Sequence, residues 1–405
     1  MGFVDIRIGI IGGSIAGCAM AMAARFAGAD VVVYERSAGR LEERGFGIGM
    51  PQPLRATLIA AGYVDPGMPA HPMSERVWIT KADGGDERVL WRQPSPVMGC
   101  NWGLLWQALR DKIAEGDYRA GITVERIESD GAAPGLVTRD ATERFDCVIG
   151  ADGYRSLARA GIDGRSEPHY AGYGLWRASY PEAALPVPVP ELETGFATVV
   201  FPNGHAVFYF IPDAPPPRGT GGRRLNWGVY AYPPSTPRSE HGHPPGSAPE
   251  LATFVKALAT QHFPRRWTQL IEATADTEIA MHPVYDLSVS AYTRGRLALA
   301  GDAGALARPH TASGAVKAID DALTFQRALR EAPSLPAALA DYNESRCAEG
   351  NRLTALGRRI GHAQVEETPD WSRMDAPAMA DWTRHTLAGT GHYLYADPGE
   401  PPARA

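Results

Sequence analysis

The pattern that most restricts the fold lies near the N-terminus. The apolar run at residues 6–11 is typical of a buried strand, and the Ala/Met-rich run that ends at Ala27 is typical of a helix. VVVYE, which ends at Glu35, is typical of a second strand, and the segment GGSIAG at 12–17 joins the first strand to the helix. Strand, glycine-rich turn, helix and acid-terminated strand form a βαβ unit. This unit predicts an α/β fold that binds a dinucleotide.

The turn GGSIAG matches the pattern GxGxxG except that Ser14 replaces the middle glycine. Gly12 permits the tight turn, Gly17 lets the helix pack closely on the strand, and the helix N-terminus favours a pyrophosphate. The alternative is a glycine-rich turn in an unrelated α/β protein. The residues expected to contact the dinucleotide are Gly12, Ser14, Ile15, Ala16, Gly17 and, at a ribose, Glu35.

Two further buried strands end in an aspartate beside a glycine. CVIGA leads into Asp152-Gly153, and LALA leads into GDAGALARPHTASG, which starts at Gly301. A solvated turn explains either aspartate alone, but both together suggest further contacts to an extended cofactor. Asp302 is a candidate for a ribityl hydroxyl, and a helix starting near Ser313 would face an electron-rich ring edge. The cofactor contacts expected here are Asp152, Gly301, Asp302, Ala312, Ser313, Gly314 and Ala315.

The organisation of the 405 residues changes twice along the chain. Helices are predicted at 54–62 and 103–115, alternating aromatic stretches between 170 and 281 predict antiparallel strands, and 315–360 is largely helical. We therefore expect a discontinuous cofactor domain (1–170 and 282–360), an inserted β-sheet substrate domain (171–281) and a C-terminal segment (361–405). That segment is weakly patterned, and its Pro-rich end is expected to be disordered.

The composition excludes several functions. A formal net charge of −6 and the lack of a Lys/Arg block argue against nucleic-acid binding. The four cysteines are scattered, so neither a metal site nor a disulfide framework is expected. No signal peptide or membrane-spanning segment is predicted, and the expected location is the cytoplasm, without a membrane partner.

These motifs together resemble the FAD-dependent group A aromatic monooxygenases, the para-hydroxybenzoate hydroxylase superfamily. The resemblance rests on GGSIAG…E, LEERGFGIG, ADGYRSLAR and GDAGALARPHTASGAVKAIDDAL, and it covers about 6–345. YAGYGLWR (170–177) and RRLNWGVY (223–230) look most like the branch around 2,6-dihydroxypyridine 3-monooxygenase. The resemblance implies a Rossmann-like FAD-binding domain with an inserted antiparallel β-sheet and C-terminal helices.

The resemblance also implies a reaction. NADPH or NADH, bound only transiently, reduces FAD, O2 forms an FAD C4a-hydroperoxide, and an OH group passes to a small aromatic or N-heteroaromatic substrate. Where the family has an arginine in the helix after the first hairpin, this chain has Gln107, which is expected to bond a phosphate but carries no charge. Arg36 and Arg44 are expected to contact the cofactor as well and to supply the missing charge. A homodimer is expected from the family alone.

The candidate catalytic residues lie on the aromatic strands and in the flavin loop. His205 and Tyr209 share one face of a strand, Tyr230 lies on the next strand, and His310 follows Pro309, which would stiffen the loop beside the isoalloxazine. The alternative for His205 is an exposed hairpin residue. Arg177 is expected to form a structural ion pair, with binding of an acidic substrate as the alternative.

Two other functions remain open on the sequence alone. One is an FAD-dependent oxidase, cyclase or epoxidase in natural-product tailoring, and the other is a non-catalytic protein that binds flavin or a ligand. Retention of oxygen from labelled O2 in the product separates the hydroxylase from an oxidase or cyclase.

Overall fold

The computed structural model of the protein describes residues 6–39, 41–42, 46–129, 133–234 and 248–395. In chain order its strands are β1 (Arg7–Ile11), β2 (Asp30–Glu35), β3 (Gly47–Pro51), β4 (His71–Lys81), β5 (Glu87–Asn101), β6 (Tyr118–Ala120), β7 (Arg126–Glu128), β8 (Gly135–Val137), β9 (Thr142–Arg144), β10 (Cys147–Gly150), β11 (His169–Pro181), β12 (Gly195–Phe201), β13 (Gly204–Pro212), β14 (Arg223–Ala231), β15 (Ala280–Asp286), β16 (Thr293–Arg294) and β17 (Leu297–Leu299). Its α-helices are α1 (Ile15–Phe26), α2 (Gln52–Ala60), α3 (Trp102–Arg110), α4 (Leu157–Ile162), α5 (Ala248–His262), α6 (Arg265–Glu272), α7 (Gly314–Glu331), α8 (Leu335–Gly361) and α9 (Ala376–Leu387).

The first sheet has the order β16-β17-β10-β1-β2-β6. Strands β17, β10, β1, β2 and β6 run parallel, so their carboxyl ends lie at one edge. The glycine-rich turn after β1, Asp152 after β10 and Gly301 after β17 therefore meet at this edge. Helices α1 and α7 pack against the sheet through buried apolar side chains. The predicted Rossmann-like α/β architecture is confirmed.

The second sheet has the order β15-β11-β14-β13-β12-β4-β5-β3. Its pairs are antiparallel except for β12 with β4, and α5 and α6 cover one face. The sheet extends beyond the segment 171–281, because β3, β4 and β5 come from earlier in the chain. The segment LEERGFGIGMPQP at 41–53 has glycines and prolines typical of a turn, but it contains β3. The sequence does not indicate β5, because prolines are rare inside strands. The strand tolerates Pro94, which lacks an N–H group, because Pro94 pairs with Glu75 next to an irregularity in the pairing.

The C-terminal part of the chain is more ordered than its sequence suggests. The sequence after Val365 is weakly patterned, yet α9 forms there. The side chain of Asp375 caps this helix by accepting a hydrogen bond from Ala378 N at 2.9 Å. The Pro-rich end beyond 395 and the loop at 235–247 lie outside the described residues. Among the helices that are described, none has the length and apolar character needed to cross a membrane.

Candidate functional site

One cavity of about 910 Å³ lies between the carboxyl edge of the first sheet and the open face of the second. It brings together most of the sequence-predicted site residues. Those that line it are Gly12, Ser14, Ile15, Ala16, Glu35, Arg36, Asp152, His205, Tyr209, Tyr230, Gly301, Asp302, Pro309, His310, Ala312, Gly314 and Ala315. Gly17, Gln107 and Ser313 do not line it, and Arg44 lies outside the described residues.

The glycine-rich turn has the backbone that its sequence requires. Gly12 has φ +98°, and a Cβ at this position would stand 2.4 Å from the carbonyl oxygen of Ala151. A Cβ at Gly17 would stand 1.8 Å from the carbonyl oxygen of Gly12, so Gly17 serves helix packing and not direct contact with the cavity. Ser14 precedes α1 without a side-chain capping bond among the described residues. The first amides of α1 are therefore available to an anion in the cavity.

Glu35 is held in place by the backbone. Its Oε2 accepts from Gly13 N and its Oε1 from Ser37 N, each at 2.8 Å. The carboxylate thus faces the cavity with a fixed orientation and with lone pairs left for a hydroxyl group. Trp106 Nε1 and Tyr118 Oη donate to the carbonyl oxygen of Gly13, at 2.8 and 3.0 Å. No local sequence pattern indicates these hydrogen bonds, because Trp106 on α3 and Tyr118 on β6 lie far along the chain from Gly13.

Helix α3 contributes to the cavity through Trp102 and not through Gln107. Asn101 caps the helix, accepting from Gly103 N at 2.9 Å, and thereby fixes which residues of α3 face inward. Gln107 does not line the cavity, so its contact with a phosphate stays a prediction. Arg36 lines the cavity and can supply a positive charge.

Asp152 and Asp302 are the acids at the two later strand ends. Asp152 Oδ2 accepts from Leu157 N at 2.6 Å, whereas its buried Oδ1 has no hydrogen-bond partner within the described ranges. Burial raises the pKa of both carboxyl groups. At Asp302 the nearby positive charge of Lys317 acts in the opposite direction but does not outweigh burial. Two desolvated acids on one cavity wall match a ligand that carries hydroxyl or amide donors.

The turn at Gly301 is anchored by a buried charged cluster. Asp321 Oδ2 accepts from Gly301 N at 2.8 Å, and Lys317 Nζ donates to the carbonyl oxygen of Gly301 at 2.7 Å. Lys317 and Arg346 both pair with Asp321, at 3.1 and 2.6 Å. The i,i+4 spacing of Lys317 and Asp321 on α7 was visible in the sequence, but nothing there indicated their burial.

A cluster of rings occupies the second-sheet side of the cavity. His205 stacks on Tyr230 with ring centroids 4.5 Å apart, and His310 lies 4.4 Å from Tyr230. His310 Nε2 is 2.7 Å from Tyr173 Oη, and Tyr173 was missed because its strand also has a plausible core role. His205 is only 1% exposed, so the alternative of an exposed hairpin residue is wrong.

Burial controls the protonation of these rings. It lowers the pKa of His205 to about 3, with the charge of Arg76 acting in the same direction, and it lowers the pKa of His310 well below the usual range. Burial raises the pKa of Tyr209 to about 12. At neutral pH the imidazoles and phenols are uncharged, so they can orient a ligand by hydrogen bonds without adding charge.

Residues of the C-terminal segment close part of the cavity. Leu394 and Gln364 line it. The hydroxyl of Tyr393 lies within hydrogen-bond distance of the carbonyl oxygens of Gly49 and Ala312, at 3.2 and 3.1 Å. The stretch 393–394 therefore forms a roof that ties β3 to the loop before α7.

Arg177 does not form the structural ion pair that was expected. No carboxylate within the described residues lies in ion-pair distance, and the guanidinium instead lies over the ring of Phe46, 4.1 Å from its centroid. It lines the cavity, and burial lowers its pKa. The alternative for Arg177, binding of an acidic substrate, stays a prediction.

Comparisons with known proteins agree with this geometry. The profile of a family described as "FAD binding domain" matches residues 5–356. A 2,6-dihydroxypyridine 3-monooxygenase of Paenarthrobacter nicotinovorans is 27% identical, over 88% of this chain and 92% of the relative. An aurachin C monooxygenase/isomerase of Stigmatella aurantiaca is 28% identical, over 93% and 92%. The solved structure of 2,6-dihydroxypyridine-3-hydroxylase from Arthrobacter nicotinovorans has a TM-score of 0.78 at 22% identity, covers 98% of this chain and 99% of its own, and supports the fold.

Proposed function

This chain belongs to the FAD-binding domain family, and from that premise we propose that it is a single-component monooxygenase. It uses FAD, NAD(P)H and O2 to hydroxylate a small aromatic or N-heteroaromatic compound. The observation that carries the proposal is the single cavity that joins the glycine-rich turn, the Gly301–Asp302 turn and the ring cluster of the second sheet. Aligned relatives named as aromatic monooxygenases support the reaction class.

The residues present fit FAD. Uncapped amides at the start of α1 suit a pyrophosphate, and the fixed carboxylate of Glu35 suits a ribose. The buried, unpartnered Oδ1 of Asp152 and the desolvated Asp302 suit hydroxyl groups. The start of α7 at Gly314 lines the cavity and suits the electron-rich edge of a ring.

Bound FAD supplies the electron transfer and O2 chemistry that the side chains lack. The protein positions and desolvates the substrate. His205, Tyr209, Tyr230 and His310 present uncharged hydrogen-bonding groups beside one another, and the roof at 393–394 limits access of water. Exclusion of water favours transfer of oxygen to the substrate over wasteful release of peroxide. His310 Nε2 shares a hydrogen bond with Tyr173 Oη, which fixes the orientation of the imidazole.

The test uses the purified protein. Its visible spectrum is recorded, and oxidation of NADPH and NADH is followed while phenols, hydroxypyridines and aromatic acids are added under labelled O2. A flavin spectrum, substrate-stimulated oxidation and a product heavier by one labelled oxygen are expected. Substrate-stimulated turnover without label in the product would favour an oxidase or cyclase, and a protein that cannot take up FAD would contradict the proposal.

Three finer assignments belong to the same proposal. We propose a homodimer, a cytoplasmic location, and a division into an FAD-binding part (1–170 and 282–360) and a substrate part (171–281), with β3 to β5 contributing to the substrate sheet. Light scattering coupled to gel filtration tests the dimer.

A further inference from the structure

The fold satisfies only one end of the Gln364 carboxamide. Gln364 lies in a π-helical turn, His362–Glu366, that follows α8, and it lines the cavity. The residue is 1% exposed, and its Nε2 donates to Tyr395 Oη at 2.9 Å. Its Oε1 is buried without a hydrogen-bond partner among the residues described. Because a buried carbonyl oxygen without a donor destabilises the fold, this arrangement indicates a role beyond folding.

Two other buried glutamines have donors for their carboxamide oxygens. Gln93 Oε1 accepts from an indole N–H at 3.0 Å. The nitrogen of the Gln326 carboxamide lies 2.8 Å from Tyr63 Oη, and in that orientation its oxygen accepts from Arg330 Nη2 at 2.9 Å. Neither of these glutamines lines the cavity, whereas Gln364 does. The unpaired oxygen thus belongs to the glutamine that stands beside the space for a ligand.

The turn that carries Gln364 is held firmly by its neighbours. Val365 is fully buried and belongs to the same apolar cluster as Tyr230. Glu366 forms an ion pair with the buried side chain of Arg308. A π-helical turn contains one more residue than an α-helical turn and occurs frequently at functional sites. The open oxygen of Gln364 is therefore held at a defined place in the molecule.

Gln364 stands on the side of the cavity where the substrate would lie. The groups that fit FAD stand mainly at the edge of the first sheet, away from the ring cluster of the second. Burial lowers the pKa of His205 in that cluster, and a hydrogen bond to the backbone of Gln364 partly opposes this shift. The side chain of Gln364 bonds to Tyr395, which directly follows Leu394 of the roof. Gln364 therefore lies between the ring cluster and the roof.

The chemistry of the open oxygen sets what it can bind. The Nδ1 atoms of His205 and His310 also lack partners in the described part of the chain, but an imidazole nitrogen donates or accepts according to its tautomer. An amide oxygen only accepts. The last torsion of a glutamine side chain is broad, so a small rotation can bring Oε1 of Gln364 onto a ligand. The complementary group on the ligand is therefore an N–H or an O–H.

We propose that Gln364 determines substrate specificity by accepting a hydrogen bond from an N–H or O–H substituent of the substrate ring. The inference rests on the proposed function and adds a specificity-determining residue to it. A substrate with the donor pairs the oxygen that the fold leaves open, whereas an analogue without the donor leaves this oxygen buried and unpaired. Tyr395 is the positioning residue, because it holds the nitrogen of the same carboxamide.

The experiment measures binding to the holoenzyme by the change in flavin absorbance. The probes are resorcinol, catechol and 2,6-dihydroxypyridine, each paired with the analogue in which fluorine replaces one hydroxyl. Fluorine is similar in size but donates no hydrogen bond. For at least one pair we expect the hydroxyl compound to bind about tenfold or more tightly than its fluoro analogue.

Variants assign this preference to the carboxamide. Q364L should reduce the ratio to about threefold or less, whereas Q364E, which keeps an acceptor, should retain a preference for the hydroxyl compound. Y395F should give an intermediate ratio, because the carboxamide stays but loses its support. FAD content is measured for each variant, and if Q364L loses FAD, the ratios in Q364E and Y395F decide.

The matched control is Q326L, because Gln326 is also a buried glutamine beside a tyrosine hydroxyl but does not line the cavity. Q326L should leave the binding ratio unchanged and lower the urea midpoint of unfolding, since it removes a carboxamide with partners at both ends. The midpoint of Q364L should stay close to that of the wild type, because the substitution removes an unpaired oxygen together with one hydrogen bond.

Several results would overturn the proposal while leaving the hydroxylase intact. These are equal binding within every pair, tighter binding of the fluoro analogues, or failure of every hydroxyl compound to bind. An unchanged ratio in Q364L, with a midpoint that falls as far as in Q326L, would assign Gln364 to the fold alone. A wild-type protein that takes up no flavin would instead count against the proposed function.

Discussion

Replacing Asp321 by asparagine tests whether the buried charged cluster holds the Gly301 turn in place. Asp321 is fully buried and compensates Lys317 and Arg346, with contacts of 3.1 and 2.6 Å, and it also accepts from Gly301 N. Asparagine keeps the shape but removes the carboxylate that both buried cations contact. Breaking a buried pair in this way costs about 3–5 kcal/mol, so we expect the free energy of unfolding to fall by that amount. Binding of FAD should weaken by about tenfold or more, because the turn loses its anchor.

The assay is urea unfolding followed by tryptophan fluorescence, with FAD affinity measured by flavin fluorescence. D341N is the control, because Asp341 pairs with Arg327 at the surface, with both side chains about half exposed, and it should cost less than about 1 kcal/mol. A loss in D321N as small as that in D341N would refute the reasoning.

The ion pairs of Asp321 with Lys317 and Arg346 also predict that the stability of the protein depends on pH. Burial alone would raise the pKa of Asp321, but Lys317 and Arg346 outweigh burial and hold the pKa below its ordinary value. A carboxyl whose pKa is lower in the folded state stabilises the protein above its unfolded pKa of about 4. This contribution is lost as the pH falls further, so wild type and D321N should differ less in stability under acid conditions than at pH 7.

Three further changes test other parts of the site. G17A should abolish detectable FAD binding, because the new Cβ would stand 1.8 Å from the carbonyl oxygen of Gly12. The control G116A should bind FAD normally, because its new Cβ would meet no atom within 4 Å, and the flavin content after purification is the measurement. Y393F removes the hydroxyl that ties β3 to the loop before α7. Because more water should then reach the cavity, the peroxide released per NAD(P)H oxidised should rise severalfold. An unchanged yield of hydroxylated product would contradict the role of the roof. Burial lowers the pKa of His205 to about 3 in the folded protein, whereas it is about 6.5 in the unfolded chain. Lowering the pH from 7.5 to 5.5 should therefore reduce the free energy of unfolding of the wild type by about 1.4 kcal/mol, and H205Q should not show this loss. An identical pH dependence of the two proteins would show that His205 titrates normally.

Local sequence patterns predicted the parts of the site that depend on short stretches of chain. The turn at Gly12, the acid at the end of β2 and the Gly301–Asp302 turn each follow a buried strand, and the parallel sheet brings them to one edge. Periodicity and turn chemistry suffice there, because each motif requires its own backbone geometry.

The residues that the sequence did not predict depend on contacts between distant segments. Gln107 was placed by analogy with a helix position, but the register set by the Asn101 cap turns Trp102 toward the cavity instead. Tyr173 and Arg76 look like ordinary strand residues until the sheet order places them beside His310 and the cavity. Nothing in a single sequence states that order, since β4 pairs with β12 across more than one hundred residues.

The roof at 393–394 has an evolutionary consequence. These residues lie beyond the segment 5–356 that matches the family, yet they cover the cavity that the family segment forms. Substitutions or length changes in the roof can reshape the pocket above the second sheet while the turns at Gly12 and Gly301 stay as they are. Diversification of substrate range can thus begin at Leu394, which lines the cavity outside the turns that suit FAD, and directed evolution of this protein should start there.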